Sequence, residues 1–147
     1  MRDKSAFIDT NVLIYLYSGK DEDRDKRRRI HKKMSQYNCQ ISTQVLNEFS
    51  NTCIKKMNVK VKDVQNLIDQ ICSYCDLLYI DKDTINKALE IHSRYNYSYY
   101  DSLILASALE YGCDCLFTED LSDGQIIEGS LTIKNILNDR IPVQIEK

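Results

Sequence analysis

Proline and glycine are almost missing from this chain, with one proline and four glycines in 147 residues. So few breakers leave no room for a long flexible linker or a disordered tail, and one domain spanning residues 1–147 is expected. Histidine is equally scarce. His31 and His92 stand far apart, which argues against a histidine-built metal or catalytic centre, and His92 falls on an apolar helical face where a structural role is expected. No apolar run approaches the ~18 residues of a membrane span. The opening Met1-Arg2-Asp3-Lys4-Ser5 runs into Asp9 and Asn11 too soon for a secretory leader, so no membrane association is expected. Six cysteines without a leader then point to reduced thiols and a cytoplasmic protein. Cys72–Cys75 and Cys113–Cys115 have metal-pair spacings, but the first lies on an apolar helical stripe and the second brackets a strand start, the pattern of buried thiols rather than zinc ligands.

A surplus of positive charge is also lacking, the net charge being −2. The average conceals an asymmetry. Lys20 to Lys33 carries eight basic and four acidic residues, a net +4, and leaves about −6 on the remainder. A local basic segment of this kind can guide a phosphate backbone, and Arg27, Arg28 and Arg29 are its candidate contacts to a nucleic acid; a solvated amphipathic helix is the competing explanation.

What the sequence does contain is a regular alternation. Short apolar runs at Ser5–Ile8, Cys39–Ile41, Leu77–Ile80, Cys115–Phe117 and Leu131–Ile133 have the length and composition of buried strands. Helical stretches intervene. Ser42-Thr43 caps one with an apolar stripe at Leu46, Phe49, Cys53 and Met57; another carries Val64, Leu67, Ile68, Ile71, Cys72 and Cys75; a third is marked by Ile85, Leu89 and His92. Ser98 to Tyr111 is apolar nearly all round, as a central helix would be, with Gly112 placed to end it. Strands alternating with helices predict an α/β fold of three layers, α/β/α, around a central, mainly parallel sheet of four to five strands.

In such a sheet ligands bind beyond the carboxyl ends of the strands. Asp9 follows the first strand and Asp120 the fourth, Asp101 opens the central helix, and Glu48 sits early in the helix after Ser42. These four acids, distant in sequence, can therefore meet at one rim. Crowded carboxylates raise one another's pKa values and call for a cation. Hard oxygen donors without histidine or thiolate suit Mg²⁺ or Mn²⁺, and such metals serve phosphodiester hydrolysis. Taken singly, each acid could equally be a cap or a solvated residue.

The segments around these acids resemble the PIN-domain nucleases. Phe7-Ile8-Asp9-Thr10-Asn11-Val12-Leu13 is similar to the family's opening motif, and Thr43-Gln44-Val45-Leu46-Asn47-Glu48-Phe49 to the second. Tyr100-Asp101-Ser102-Leu103-Ile104-Leu105-Ala106-Ser107-Ala108 resembles the third and Phe117-Thr118-Glu119-Asp120-Leu121 the fourth. The resemblance covers nearly the whole chain in order and spacing. It implies a divalent-metal-dependent endoribonuclease, with Asp9, Glu48, Asp101 and Asp120 as catalytic metal ligands and Asn11 and Thr118 as supporting polar residues. It also implies frequent homodimers and, for many single-domain members, a toxin's role beside an antitoxin protein. Asp123 fits a turn with Gly124 better than a ligand role, and Glu119 is expected to point away. Tyr95, Tyr97, Tyr99 and Tyr100 fit packing or a dimer surface better than base stacking. A non-catalytic RNA-binding or scaffold module on the same fold, and a structure-specific DNA nuclease, stay open as alternatives. A phospho-acceptor receiver domain is disfavoured by the absence of paired acids after the first strand.

Overall fold

The computed structural model describes residues 4–136. The expectation of an ordered C-terminal tail falls on residues outside this range. The elements run β1 (Ser5–Ile8), α1 (Thr10–Leu16), a 3₁₀ turn (Asp21–Asp23), α2 (Arg24–Met34), β2 (Asn38–Ser42), α3 (Thr43–Lys55), α4 (Val61–Tyr74), β3 (Asp76–Leu78), α5 (Lys82–Tyr95), α6 (Tyr99–Glu110), β4 (Cys115–Thr118), β5 (Ile126–Ile127) and β6 (Leu131–Asn135). The sheet order is β3-β2-β1-β4-β6-β5, with every pair parallel except β5–β6.

All four residues of β1 and all four of β4 are buried. Successive strand residues point to opposite faces, so both faces of the sheet centre are covered, and the three-layer α/β/α arrangement follows. The sheet has one strand more than the sequence pattern suggests. Ile126–Ile127 is only two residues long and pairs antiparallel with β6 through a tight turn in which Glu128 (φ 52°) and Gly129 (φ 73°) both take left-handed backbone. A pair too short to show alternation leaves no signature. No helix of the described residues is long and apolar enough to cross a membrane.

Helix α6 is the centre of the α/β packing. Ser102 to Ala108 is a continuous buried run, and Ser107 turns its hydroxyl back to the Leu103 carbonyl at 2.9 Å, which makes a buried serine tolerable. Gly112 ends the helix at φ 72°, with its N–H on Leu109 O at 2.9 Å and that of Cys113 on Ala108 O at 3.0 Å, the paired bonds of a Schellman motif.

The neighbouring helix α5 departs from expectation. Its buried face is Thr84, Ala88 and Ile91, whereas Ile85 and Leu89 are 39% and 50% exposed. Ala88 is small enough to let α5 approach α6 closely, where it packs with Leu103 and Ala106. His92 is exposed and not on an apolar face; its Nδ1 lies 2.6 Å from Tyr97 O, bracing the chain where it leaves the helix. Cys72 is likewise exposed, while the other five cysteines are buried free thiols. Cys75 follows the end of α4, and Gln40↔Asp76 register sets it beside Cys39.

The tyrosines of the α5–α6 connection work as clamps. Tyr95 Oη donates to Glu128 Oε2 at 3.0 Å and accepts from Glu128 N at 2.9 Å. Tyr97 Oη donates to Gln125 Oε1 and accepts from Ser122 N at 3.4 Å. Lys87 meets Glu128 Oε1 at 3.2 Å, and Arg94 pairs with Oε2. Arg94, then Tyr95 and Lys87, draw the Glu128 carboxyl down to about 2 from its usual 4.5. A depressed acid stabilises the fold above its ordinary pKa and ceases to do so as the pH falls toward the lowered value. Glu128→Gln is therefore expected to cost about 0.5–1.5 kcal/mol at neutral pH. In urea melts the difference from the parent should shrink between pH 4.5 and about 2. A pH-independent difference would show that the side chain acts by packing alone.

Candidate active site

Because β1 and β4 are parallel neighbours with Ile8 opposite Phe117, the residues that follow them emerge side by side at one rim. The Asp9 N–H donates to Phe117 O at 3.0 Å, which carries the strand pairing one residue further and fixes the first acid in place. Asp9 also caps α1, accepting from Thr10 N at 2.7 Å on Oδ1, while Thr118 Oγ1 donates to Oδ2 at 2.8 Å. Thr118 is completely buried and in turn accepts from Asp120 N at 3.2 Å. One hydroxyl thus spaces two of the acids.

The remaining two reach the same place from helix starts. Ser42 caps α3, accepting from Val45 N at 3.4 Å, and Glu48 follows in the second turn; Ser98 caps α6, accepting from Asp101 N at 3.1 Å. Asp9, Glu48, Asp101 and Asp120 line one cavity of about 270 Å³, together with Thr10, Asn11, Gln44 and Asn51. No lysine or arginine among the described residues lines it.

Neutral donors hold the carboxylates in place of cations. Thr10 Oγ1 donates to Glu48 Oε1 at 2.8 Å, Gln44 Nε2 to Glu48 Oε2 at 3.2 Å, and Asn11 Nδ2 to Asp120 Oδ2. Gln44 Nε2 also reaches Tyr100 O at 3.0 Å, so α3 is tied to the start of α6. These two acceptors fix the amide's orientation and leave Gln44 Oε1 buried without a hydrogen-bond partner among the described residues. Burial raises the Asp9 carboxyl to about 6, against the hydrogen bonds from Thr118 and Thr10, and Glu48 and Asp120 push it the same way as burial. Asp101 is raised by burial first and then by Asp120 and Glu48.

The sequence points to the four acids, Asn11 and Thr118, and the structure gathers them. It does not point to Thr10 or Gln44, which do as much to orient Glu48. Gln44 lies one helical turn before Glu48 on the same face, and that spacing was the available signal. Asp123 serves the turn, its Oδ1 accepting from Asn135 N at 2.8 Å. Glu119 meets Tyr15 and Lys26 instead of the cavity.

The arginines of the basic segment are placed differently from one another. Arg27 is half-buried, its Nη1 donating to Ser18 O at 2.6 Å and Lys20 O at 2.8 Å, so it fastens the α1–α2 loop. The Lys20 carbonyl already accepts from Asp23 N at 3.1 Å, and the guanidinium adds a second bond there beside the one to Ser18 O. Arg28 is exposed and pairs with Asp25 at 3.7 Å. Arg29 lies in a separate groove beside β6.

The donor set fits a hard divalent cation. It consists of carboxylate and amide oxygens, burial and the neighbouring acids push the Asp9 and Asp101 carboxyls up, and Gln44 Oε1 is a buried acceptor without a donor among the described residues. Among the described residues, no three carboxylates, thiols or imidazoles form a ready-made ligand set. Mg²⁺ is commonly held by only one or two carboxylates and retains several waters, so a looser acidic cavity is compatible with it.

A mainly parallel sheet with an acidic cavity at its carboxyl edge defines an open α/β domain, and the sequence defines which. The chain belongs to the PIN domain family, whose model matches residues 6–122. Among solved structures it is similar to a toxin–antitoxin complex from Klebsiella pneumoniae (21% identity, TM-score 0.66, covering 89% of this chain and 97% of that one). It is also similar to VapBC2 from Rickettsia felis bound to a promoter DNA fragment (17%, 0.63, 89% and 99%). A third is the sarcin–ricin-loop-cleaving toxin VapC20 from Mycobacterium tuberculosis (15%, 0.59, 76% and 86%). At these identities the likeness is one of fold. No curated protein matches the sequence.

Proposed function

We propose that this protein is a divalent-metal-dependent endoribonuclease whose acidic site is Asp9, Glu48, Asp101 and Asp120, and that it acts as the toxin of a toxin–antitoxin pair. The observation that carries the proposal is the convergence of four carboxylates, from four distant segments, on one cavity without a balancing cation. Bound Mg²⁺ or Mn²⁺ would neutralise these acids and polarise the phosphodiester. Asp9, Asp101 and Asp120 are the residues that would hold it, with Glu48 assisting. The protein's own contribution is orientation. Thr118 and Thr10 fix both oxygens of Asp9, and Asn11 holds Asp120. Glu48, steadied by Thr10 and Gln44, positions the attacking water and can accept its proton. In-line attack on phosphorus breaks the bond to the 3′ oxygen and leaves a 5′-phosphate and a 3′-hydroxyl. The toxin assignment rests on family membership and on relatives of this fold being toxins in complex with antitoxins.

Purified protein incubated with total RNA and Mg²⁺ or Mn²⁺ should yield discrete fragments that EDTA abolishes. RNA left intact with either metal, by folded protein freed of any co-purified partner, would overturn the nuclease assignment.

A further inference from the structure

A second cavity, of about 450 Å³, lies between α2 and β6 and has the opposite electrostatic character. Arg29, Lys32 and Lys33 enter it from α2, Lys134 from β6, and Asp123 and Asn135 close one end. Positions 29, 32 and 33 share one face of the helix, because residues three and four apart are surface neighbours. Lys32 and Lys33 also complement the dipole at the helix C-terminus, whereas Arg29, a turn earlier, and Lys134, on another element, are outside that effect. Arg29 has an interaction of its own, and four further cations of α2 are engaged within the fold. Arg27 binds two carbonyls, Lys26 lies 4.3 Å over the Tyr15 ring, Arg24 faces Asp21 and Arg28 faces Asp25. Lys32, Lys33 and Lys134, by contrast, have no carboxylate partner among the described residues. Asp123 is held by the backbone of Asn135.

The groove is also joined to the acidic rim. Asn135 stands opposite Thr118 in the β4–β6 register, and its Nδ2 donates to Glu119 O at 3.0 Å. Thr118 in turn bonds Asp9. One strand spacing, ~4.8 Å, therefore separates the end of the basic groove from the residue on which the acids are built. Lys134 stands opposite Phe117, whose ring packs edge-on against Tyr37 just beyond α2, so the lysine emerges on the face that α2 covers. Lys33 and Lys134 thus reach the same groove from two different elements.

We propose that the groove of Arg29, Lys32, Lys33 and Lys134 is a binding track for the phosphodiester backbone of a single strand, holding the segment that flanks the bond presented to the acids. The choice of a nucleic acid as ligand rests on the nuclease function proposed above. The acids and the lysines then divide the work, one rim cutting and the other holding, since phosphate contacts fix register without reading bases.

The test uses full-length protein in EDTA, where no cleavage occurs, with a fluorescent single-stranded RNA and a DNA of the same sequence read by anisotropy. Lys33→Gln/Lys134→Gln is compared with Lys55→Gln/Lys62→Gln, which removes equal charge from the surface of α3 and α4. For single strands each phosphate contact contributes about 0.7 to the slope of log affinity against log salt, so the groove pair should flatten it by about 1.4, the control pair leaving it unchanged. Both nucleic acids should respond alike, because the contact is to the shared backbone. Equal flattening by both pairs, or by neither, would overturn the groove. So would an oligoglutamate peptide that displaces RNA and depends more strongly on the same lysines, which would make this a protein-docking surface. Hydrolysis of bis(p-nitrophenyl) phosphate, too small to span both sites, should be unaffected by the groove pair. Binding with the predicted slopes but no cleavage of any RNA would sink the nuclease function and leave the groove standing; cleavage with unaltered slopes would do the reverse.

Discussion

Asp101→Asn should lower metal-dependent RNA cleavage at least ~100-fold while leaving the fold intact. The substitution is close to isosteric and removes the charge that the cavity contributes from the α6 side. The helix does not depend on that charge, because Ser98 caps it through the Asp101 backbone N–H. Asp101 is partly exposed, and burial together with Asp120 and Glu48 already raises its carboxyl, so a neutral amide relieves local repulsion. Thermal melting in EDTA should therefore be equal to or above that of the parent. The two measurements separate a functional acid from a structural one. Cleavage that persists in the variant, or a melting temperature that collapses with it, would remove Asp101 from the site.

Asp9→Asn should separate stability from function even more clearly. Asp9 is 7% exposed, and its carboxyl rises from 3.8 to about 6. For an acid raised by folding, the contribution to stability is fully present below the unfolded pKa and is lost as pH rises through the folded one. The metal-free protein is therefore penalised at neutral pH by an amount on the order of 1–3 kcal/mol. Asparagine can keep both local bonds, its Oδ1 accepting from Thr10 N and its Nδ2 donating to Thr118 Oγ1. In EDTA the urea midpoint of the variant should exceed that of the parent at pH 7, and the gap should close as pH falls from about 6 toward 3.8. Added Mg²⁺ should raise the parent's midpoint and not the variant's, since a ligand stabilises only the state that binds it. A variant less stable than the parent at pH 7, or one that responds to Mg²⁺ as the parent does, would contradict the role given to Asp9.

The sequence disclosed most of this architecture for a simple reason. Central parallel strands are buried on both faces, so β1 and β4 appear as unbroken apolar runs, and the acid after each is placed by the parallel direction alone. Elements whose identity depends on a partner were less visible. Strand β5 exists only because Glu128 and Gly129 turn it onto β6. In α5 the large apolar residues suggested one face, but packing against α6 selected Ala88 and Ile91. Arg27 counted as surface charge until its carbonyl partners were known. The site divides along the same line. Its charged members are conspicuous in sequence, whereas Thr10 and Gln44 matter through the oxygen atoms they face, and that is a property of the folded molecule.

The clamp formed by Tyr97 has a thermodynamic corollary. Its side chain grips Gln125 and Ser122 in the loop that follows Asp120, and its backbone carbonyl is bonded by Ser102, one residue after Asp101. The segments that carry two of the acids are thus tied to a single residue. A ligand that steadies one segment reduces the conformational entropy still to be lost by the other, and this coupling is reciprocal by linkage. If the acids hold a metal as proposed above, occupancy near Asp120 and occupancy near Asp101 would favour one another, joined by a tyrosine that is not among the residues lining the cavity.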